Sequence, residues 1–367
     1  MGWTAPTYGI DVPESWLSEA TEEEPSMSKI STIGLDVAKH VFQVHGIDDK
    51  GEAVVRRRLR RSELLTFFAR LPPTFIGMEA CATSHYWARE LGSLGHEVRL
   101  MPAQYVKAYV KRQKNDAADA EAICEAVRRP SMRFVPVKSA EQQAALMLHR
   151  SRDLLVRQRT MLINALRGHL AEFGLIEARG PGRITPLLAM LEAADDRVPA
   201  LARQALAPLV VQLRSLEDQI ETLAAKLLTW HKENETSRRL ATVPGIGPLT
   251  ASAIAATVPD ASVFSSARQF AAWIGLVPRQ NSTGGKARLG RISKQGDAYI
   301  RRLLIIGAQS VLRWARPAKS NPWTLALLGR RPRKVVAVAL ANKMARVVWA
   351  LMVRGENYRY PLPSAAA

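Results

Sequence analysis

Cysteine is nearly absent: 367 residues hold only Cys81 and Cys124, which excludes a disulfide framework and provides no metal-ligand spacing. Both are expected as free, buried thiols in a reducing cytoplasm. The seven histidines form no metal-site pattern either. Long apolar runs are also missing. The most apolar stretch, residues 335–353, is broken by Asn342, Lys343 and Arg346, so no membrane span is expected. The N-terminus has no basic region followed by an apolar run, so no signal peptide is expected. Acidic residues are the other scarcity. Against 52 Lys+Arg stand 33 Asp+Glu, a net charge of +19 and a pI near 10.4. Such a surplus favours a polyanionic partner, because each cation that neutralises a phosphate releases condensed counterions. Nucleic acid is preferred over an anionic membrane or a partnerless basic surface.

Apolar content of 47% and charged content of 23% are ordinary for a globular protein, and the length suffices for two or three domains. The first 26 residues differ, with Asp11, Glu14, Glu19, Glu22, Glu23 and Glu24 among Pro6, Pro13 and Pro25. Residues 1–28 are therefore expected to be a disordered acidic leader. Met27-Ser28-Lys29 opens directly into a strand pattern, which makes Met27 the expected native start.

From residue 30 to about 130 strands alternate with helices. Strands are expected at 30–36, 41–47 and 53–59, with a turn at Asp48-Asp49-Lys50-Gly51. Ser62 is expected to cap a helix reaching Arg70, followed by a strand at 74–79, a helix at 84–94 closed by Gly95, and a strand at 97–101. A further helix begins near Asn115. Three meandering strands followed by α-β-α-β-α is the order of an α/β ribonuclease-H-like fold, a mixed sheet with helices on both faces. This domain is assigned to residues 29–138.

Residues 139–236 read as a helical region. Leu213, Leu216, Ile220, Leu223, Leu227 and Trp230 alternate steps of three and four, a heptad seam, and Leu148, Leu155 and Leu162 suggest its partner helix. An antiparallel coiled-coil hairpin turning near Gly180-Pro181-Gly182 is the structural reading, and a dimerisation arm the functional one. Residues 237–358 read as a mainly helical, basic second functional domain interrupted by one Gly/Ser/Thr loop, and 359–367 as a tail.

Four carboxylates stand at element edges. Asp36 and Glu79 end apolar strands, and Asp116 and Asp119, three apart, share a face near a helix N-terminus. Hard oxygen donors of this kind suit Mg²⁺, and two such ions can clamp the oxygens of a phosphoryl transfer. Helix capping would account for Asp116 alone but not for Asp36 or Glu79. Residues 243–251, with Gly245 and Gly247, match the hairpin of a helix-hairpin-helix, in which backbone N–H groups approach a phosphate. Ser282, in Gln280-Asn281-Ser282-Thr283-Gly284-Gly285-Lys286, precedes Lys286, Arg288, Arg291, Lys294, Arg301 and Arg302. On the residues alone it reads best as a solvated turn before a basic, nucleic-acid-binding helix, since no general base is evidently placed for the serine.

At these residues the chain resembles a known family. Ile33-Gly34-Leu35-Asp36-Val37-Ala38-Lys39, Gly77-Met78-Glu79-Ala80 and Lys114-Asn115-Asp116-Ala117-Ala118-Asp119-Ala120 resemble the DEDD (RuvC-like) domain of the IS-one-ten family of insertion-sequence transposases. Residues 275–279 and 290–297 resemble that family's C-terminal transposase domain, nearest its IS-eleven-eleven branch. The likeness covers nearly everything after Met27. It implies a site-specific DNA recombinase that excises and inserts its own element, guided by a structured non-coding bridge RNA. It implies that Asp36, Glu79, Asp116 and Asp119 bind Mg²⁺, and that Ser282 is the nucleophile forming a phosphoserine link to cut DNA. A contribution from Thr283 stays open. It further implies a homo-oligomer, dimeric or, in the synaptic complex, tetrameric, in which one subunit's quartet completes a site with another's serine. The expected setting is the bacterial cytoplasm, at the nucleoid. Two alternatives stand beside it: a Holliday-junction-type metal nuclease using water, and a non-catalytic nucleic-acid-binding protein derived from a transposase.

Overall fold

The computed structural model describes residues 30–110, 116–178, 180–193, 196–286, 288–314 and 321–359. The expected acidic leader, nearly all of the tail, and Asn115 lie outside them. The chain divides into two compact units between Val135 and Pro136.

The first unit is built on one mixed sheet. Strands β1 (Thr32–Val37), β2 (Val41–Ile47) and β3 (Ala53–Arg60) form an antiparallel meander. They are followed by α1 (Leu64–Phe68), β4 (Phe75–Glu79), α2 (Ser84–Ser93), β5 (Glu97–Met101), the short α3 (Ala103–Val106) and α4 (Asp116–Val127). The strand order is β3-β2-β1-β4-β5, with β4 and β5 parallel to β1. The central strands β1 and β4 are buried on both faces through Ile33-Gly34-Leu35 and Ile76-Gly77-Met78, whereas edge strand β3 buries only Val55 and Leu59. On one face α2 packs Trp87 edge-on against Phe42 of β2, with ring centroids 5.2 Å apart. The other face is covered by α4, which reaches the sheet over Gly34 and Gly77, paired across β1 and β4. A Cβ at Gly34 would stand 2.1 Å from the Ala120 carbonyl oxygen, so only glycine lets α4 seat here.

One local expectation fails. Ser62 does not cap α1: the helix starts at Leu64 with no side-chain cap, and Ser62 lies in the preceding turn. Glu63 holds that turn instead, its carboxylate accepting the Arg60 N–H at 2.7 Å. A carboxylate satisfies the free backbone donor at least as well as a hydroxyl does, so the turn takes Glu63, which was expected to open the helix.

The second unit begins with α5 (Ala140–Ala171), opened by a capping box in which Ser139 and Gln142 satisfy each other's backbone N–H groups. After α6 (Thr185–Glu192), α7 (Ala200–Glu233) returns alongside α5. Ile163, Leu166 and Leu170 at the end of α5 pack with Leu206, Val210 and Leu213 at the start of α7. Leu187, Leu188 and Leu191 of α6 join this cluster, so the segment between the long helices is a packed plug as well as a turn. Of the expected seam on α7, Leu213, Leu216, Ile220 and Leu227 are buried, and Leu223 and Trp230 are half-buried. On α5 the expected Leu148, Leu155 and Leu162 are only half-buried. The fully buried positions are Ala145, Leu146, His149, Ile163, Leu166 and Leu170, so the buried stripe runs beside the expected one.

The remainder comprises α8 (Glu235–Leu240), α9 (Pro248–Thr257), α10 (Ala267–Trp273), strands β6 (Pro278–Gln280) and β7 (Leu289–Ile292), then α11 (Ala298–Arg313), α12 (Pro322–Leu328) and α13 (Arg333–Arg354). Helix α13 has the length and apolar composition to cross a membrane, but Val336, Ala341, Met344, Val348 and Leu351 are buried in the core it shares with α8, α10 and α11. A buried hydrogen-bond chain ties α5, α9 and α11 together. Tyr299 lies 3.1 Å from His149 Nδ1, Ser252 Oγ lies 3.1 Å from His149 Nε2, and the Ser252 hydroxyl donates to the Leu249 carbonyl. With that last donation, the directions close if neutral His149 carries its proton on Nε2 and accepts from Tyr299. Burial, followed by the charge of Arg152, lowers its pKa to about 4, which keeps it neutral.

Candidate metal centre and serine hairpin

The loop end of β1 brings Asp36 under the first turn of α4. One ligand oxygen each from Asp36, Asp116 and Asp119 lies within 4.8 Å of the others. The cause is the Gly34 contact: it sets α4 down so that the i, i+3 pair on the first turn meets the strand end. Glu79 is placed differently. Leu35 pairs with Met78, so Glu79 ends β4 one register step on, beside Asp36. It falls outside the trio that converges, although its charge still acts on Asp36.

Burial is the first cause that pushes the Asp36 carboxyl up to about 6, and the charges of Asp119, Asp116 and Glu79 add to it. Among the described residues, no other group of three or more His, Cys, Asp or Glu converges in this way. The donor set is all carboxylate, converging and mutually repulsive, and it fits a hard divalent cation, whose charge would relieve the repulsion.

The serine segment departs from expectation. Instead of a flexible loop in a helical domain, the chain forms a β-hairpin, β6 against β7. Thr283 bridges Lys286 across Gly284 and Gly285, whose φ values are 55° and 75°. Two successive positive φ angles make the primed turn that suits a two-residue hairpin. Ser282 is exposed just before that turn. Its Oγ accepts the Arg288 N–H at 3.2 Å, and its own proton has no acceptor among the described residues. The basic residues after it are divided by the fold. Lys286, Arg288, Arg291 and Lys294 are exposed, on the hairpin or just after it rather than on a helix. Arg301 Nη1 donates to the carbonyls of Ile274 at 2.7 Å and Gln295 at 2.8 Å, pinning the hairpin base to α11. Arg302 pairs with Asp153 and covers the Tyr299 ring. These two guanidiniums are engaged by protein groups, whereas the sequence had placed them with the free basic residues.

The two glycines of the expected helix-hairpin-helix also separate. Gly245 has φ +86°, and a Cβ there would stand 2.8 Å from a Val311 methyl and 2.9 Å from the Gly307 carbonyl oxygen of α11. It lets two backbones meet. Gly247 is exposed, caps α9, and has open space around it, so an approaching phosphate could reach the helix N-terminus there. Gly245→Ala is therefore expected to cost about 2–4 kcal/mol from positive φ and overpacking. Gly247→Ala should stay within about 0.5 kcal/mol of the parent in thermal denaturation.

The glycines that seat α4 position the site, and their one signal in the sequence is glycine inside a buried strand, a mark of close approach. The His149–Ser252–Tyr299 chain had no local signal at all, since its members are about 100 and 150 residues from His149 in sequence.

Comparison with known proteins accords with this arrangement. A model described as "Transposase IS116/IS110/IS902 family" matches residues 237–323, which contain the serine hairpin. The IS110 DEDD model, described as "Transposase", matches residues 33–174, which contain the carboxylates. A "Putative transposase y4pF/y4sB" of Sinorhizobium fredii is 50% identical over 339 residues, covering 92% of this chain and 87% of the relative. A "Probable family 20 transposase" of Pseudomonas aeruginosa is 52% identical over 339 residues, covering 90% and 99%. The "Transposase for insertion sequence element IS1111A" of Coxiella burnetii is 40% identical over 355 residues, covering 96% and 97%. With both halves matched in order and the relatives covered almost end to end, the chain belongs to the IS116/IS110/IS902 family of transposases, enzymes that cut and rejoin DNA.

Proposed function

We propose that the protein is a Mg²⁺-dependent, RNA-guided serine recombinase that moves its own insertion sequence. The observation that carries this is the meeting of Asp36, Asp116 and Asp119 at one end of the sheet. The strand order and the helices on both faces support a ribonuclease-H-like, RuvC-like reading of this unit. Asp36, Asp116 and Asp119, with Glu79 beside them, would hold the metal as two ions. Bound there, Mg²⁺ would neutralise the scissile phosphate and the departing oxygen. Ser282 is the nucleophile. Its Oγ forms a bond to phosphorus as the bond from phosphorus to the sugar oxygen breaks, the serine proton passes to solvent, and the departing sugar oxygen takes a proton from solvent to end as a hydroxyl. Rejoining reverses the exchange with a new strand's hydroxyl, so bond energy is conserved. The Arg288 N–H at Oγ favours the ionised hydroxyl and orients the lone pairs. The exposed Lys286, Arg288, Arg291 and Lys294 around it would hold the DNA phosphates, with Gly247 at the head of α9 as a further backbone contact.

Guidance by a structured RNA follows from the family resemblance and accords with the net charge of +19. Base pairing would then choose the sequence, leaving the protein to read backbone and shape. We read α5 and α7 as a coiled-coil arm for pairing subunits. Met147, Leu154 and Met161, seven apart on α5, are 62%, 48% and 69% exposed, an apolar stripe that a second subunit could cover. A paired assembly would let one subunit's carboxylates meet another's Ser282. The protein would act in the bacterial cytoplasm, on chromosomal DNA.

The test is a denaturing gel of end-labelled donor and target duplexes, incubated with RNA transcribed from the element's flanks and Mg²⁺. The parent should give a protein–DNA adduct that depends on the RNA. Ser282→Ala should give none, and cleavage should fall at least about a thousandfold. Cut DNA without adduct in the parent would instead favour a metal nuclease that uses water.

A further inference from the structure

The edge strand β3 carries a run of arginines that the proposed chemistry does not use. Arg56, Arg57, Arg58, Arg60 and Arg61 are all exposed, five of six consecutive positions around buried Leu59. The pleat divides them. Arg57 lies over the Phe67 ring at 5.6 Å, and Arg61, in the turn after the strand, lies over Trp87 at 4.8 Å, both against the helices of the α2 face. Arg56, Arg58 and Arg60 alternate to the opposite face. No ion pair holds them among the described residues.

The register shows what that face carries. Arg58 pairs with Gln43 of β2, and Gln43 pairs with Asp36 of β1. Arg56 lies across His45 from Gly34 in the same way. The three arginines therefore stand on the face that holds the carboxylate cluster. Two strand spacings, about 10 Å, separate Arg58 from Asp36, and Arg56 and Arg60 stand two residues to either side of Arg58. Alternate residues of a strand lie about 6.8 Å apart, close to the step between phosphates of an extended nucleic-acid strand.

We propose that Arg56, Arg58 and Arg60 form a phosphate-binding row that receives the backbone of the DNA strand leading to the carboxylate cluster. Guanidiniums suit this because each can grip a phosphate through two N–H groups, and the row is oriented without reading base sequence. DNA is favoured over RNA because the row shares its face with the centre proposed to cut DNA. Its place on the path to cleavage rests on that proposed function, while binding by the row does not. Charge on an edge strand also discourages strand-to-strand association. That need alone would be met by charge of either sign, and it does not explain three like charges aligned with the cluster.

The test uses the full chain, a fluorescein-labelled DNA duplex of random sequence, and no divalent cation. Anisotropy across a KCl series then reads binding even if the cleavage mechanism is wrong. Arg56→Gln/Arg58→Gln/Arg60→Gln should flatten the plot of log Kobs against log salt by about 2–3, since each lost phosphate contact removes about 0.9. Arg58→Gln alone should remove about 0.9, which keeps the test alive if the triple variant misfolds. The corresponding triple lysine variant should keep most of the slope, because charge rather than packing is at stake. Arg57→Gln/Arg61→Gln should leave the slope unchanged while lowering the melting temperature. An unchanged slope in the folded triple variant would overturn the proposal. So would a loss seen only with an RNA probe of the same sequence, or an equal loss in the Arg57/Arg61 control.

Discussion

Asp36→Asn is expected to abolish strand cleavage and, without divalent cation, to raise the melting temperature at neutral pH. The two effects have one cause. Burial and three neighbouring carboxylates hold the Asp36 pKa near 6, above the ordinary value of 3.8. A raised folded-state pKa means that the protonated form is the one the fold favours. The corresponding stability is fully present below the unfolded pKa and is lost as pH rises from about 4 through about 6. At neutral pH the metal-free parent therefore carries an ionised Asp36 against repulsion, and asparagine removes that charge at nearly the same size. Mg²⁺ should act oppositely. Added above pH 6 it should raise the parent's melting temperature, by about 2.7 kcal/mol of stability at a hundredfold excess over Kd. In Asp36→Asn this gain should shrink sharply. Cleavage should fall at least about a thousandfold, since charge stabilisation by a bound metal is worth several kcal/mol and each 1.36 kcal/mol is tenfold in rate. Thermal melts with and without Mg²⁺, run beside the labelled-duplex gel, check all three outcomes. A variant less stable than the parent in metal-free buffer would show that Asp36 serves packing, and the metal reading would lose its main support.

The second large effect is expected at a residue with no side chain. Gly34→Ala puts a Cβ 2.1 Å from the Ala120 carbonyl oxygen, 2.5 Å from the Cys124 nitrogen and 2.7 Å from the Cys124 Cβ. Two of these three atoms are backbone, so no rotamer change can relieve the contact and α4 must move. The cost is expected at about 3 kcal/mol or more, the upper part of the overpacking range. Cleavage should be lost with it, because Asp116 and Asp119 travel with α4 while Asp36 stays on β1. Gly77→Ala is the informative comparison. Its Cβ would meet the Val127 side chain, with 2.7 Å to Cβ and 3.0 Å to each γ-methyl. Truncation in Val127→Ala should therefore recover part of the stability lost in Gly77→Ala, while no side-chain truncation should rescue Gly34→Ala. Chemical denaturation of the single and double variants measures this directly. Full Mg²⁺-dependent stabilisation in Gly34→Ala would mean that the cluster does not depend on how α4 is seated.

Much of the first unit was legible because its signals are local. The β2 and β5 boundaries match the expected 41–47 and 97–101 at both ends, since apolar runs bounded by turn residues suffice to mark them. The carboxylates were legible for the same reason: Asp36 and Glu79 end apolar runs, and Asp116 and Asp119 have helical spacing. The hairpin at Ser282 was not legible. Its strands are only three and four residues long and almost wholly exposed, so they carry no burial period to read.

The sequence by itself determined the periods, the turns and the charge surplus, because each of these is set by neighbours within a few residues. It also carried the family, through motifs that stay contiguous. Which group does what was decided by the tertiary structure. Gly245 and Gly247 look equivalent in the chain, yet one lies against Gly307 of α11 and the other faces open space. Arg301 and Arg302 continue the same basic run as Lys286 and Arg288, yet Ile274, Gln295, Asp153 and the Tyr299 ring engage them once the chain folds. Three of the four carboxylates converge because α4 settles on Gly34, a contact between residues some ninety positions apart. Space around a side chain is filled by distant segments, and no local pattern specifies which distant segment will fill it.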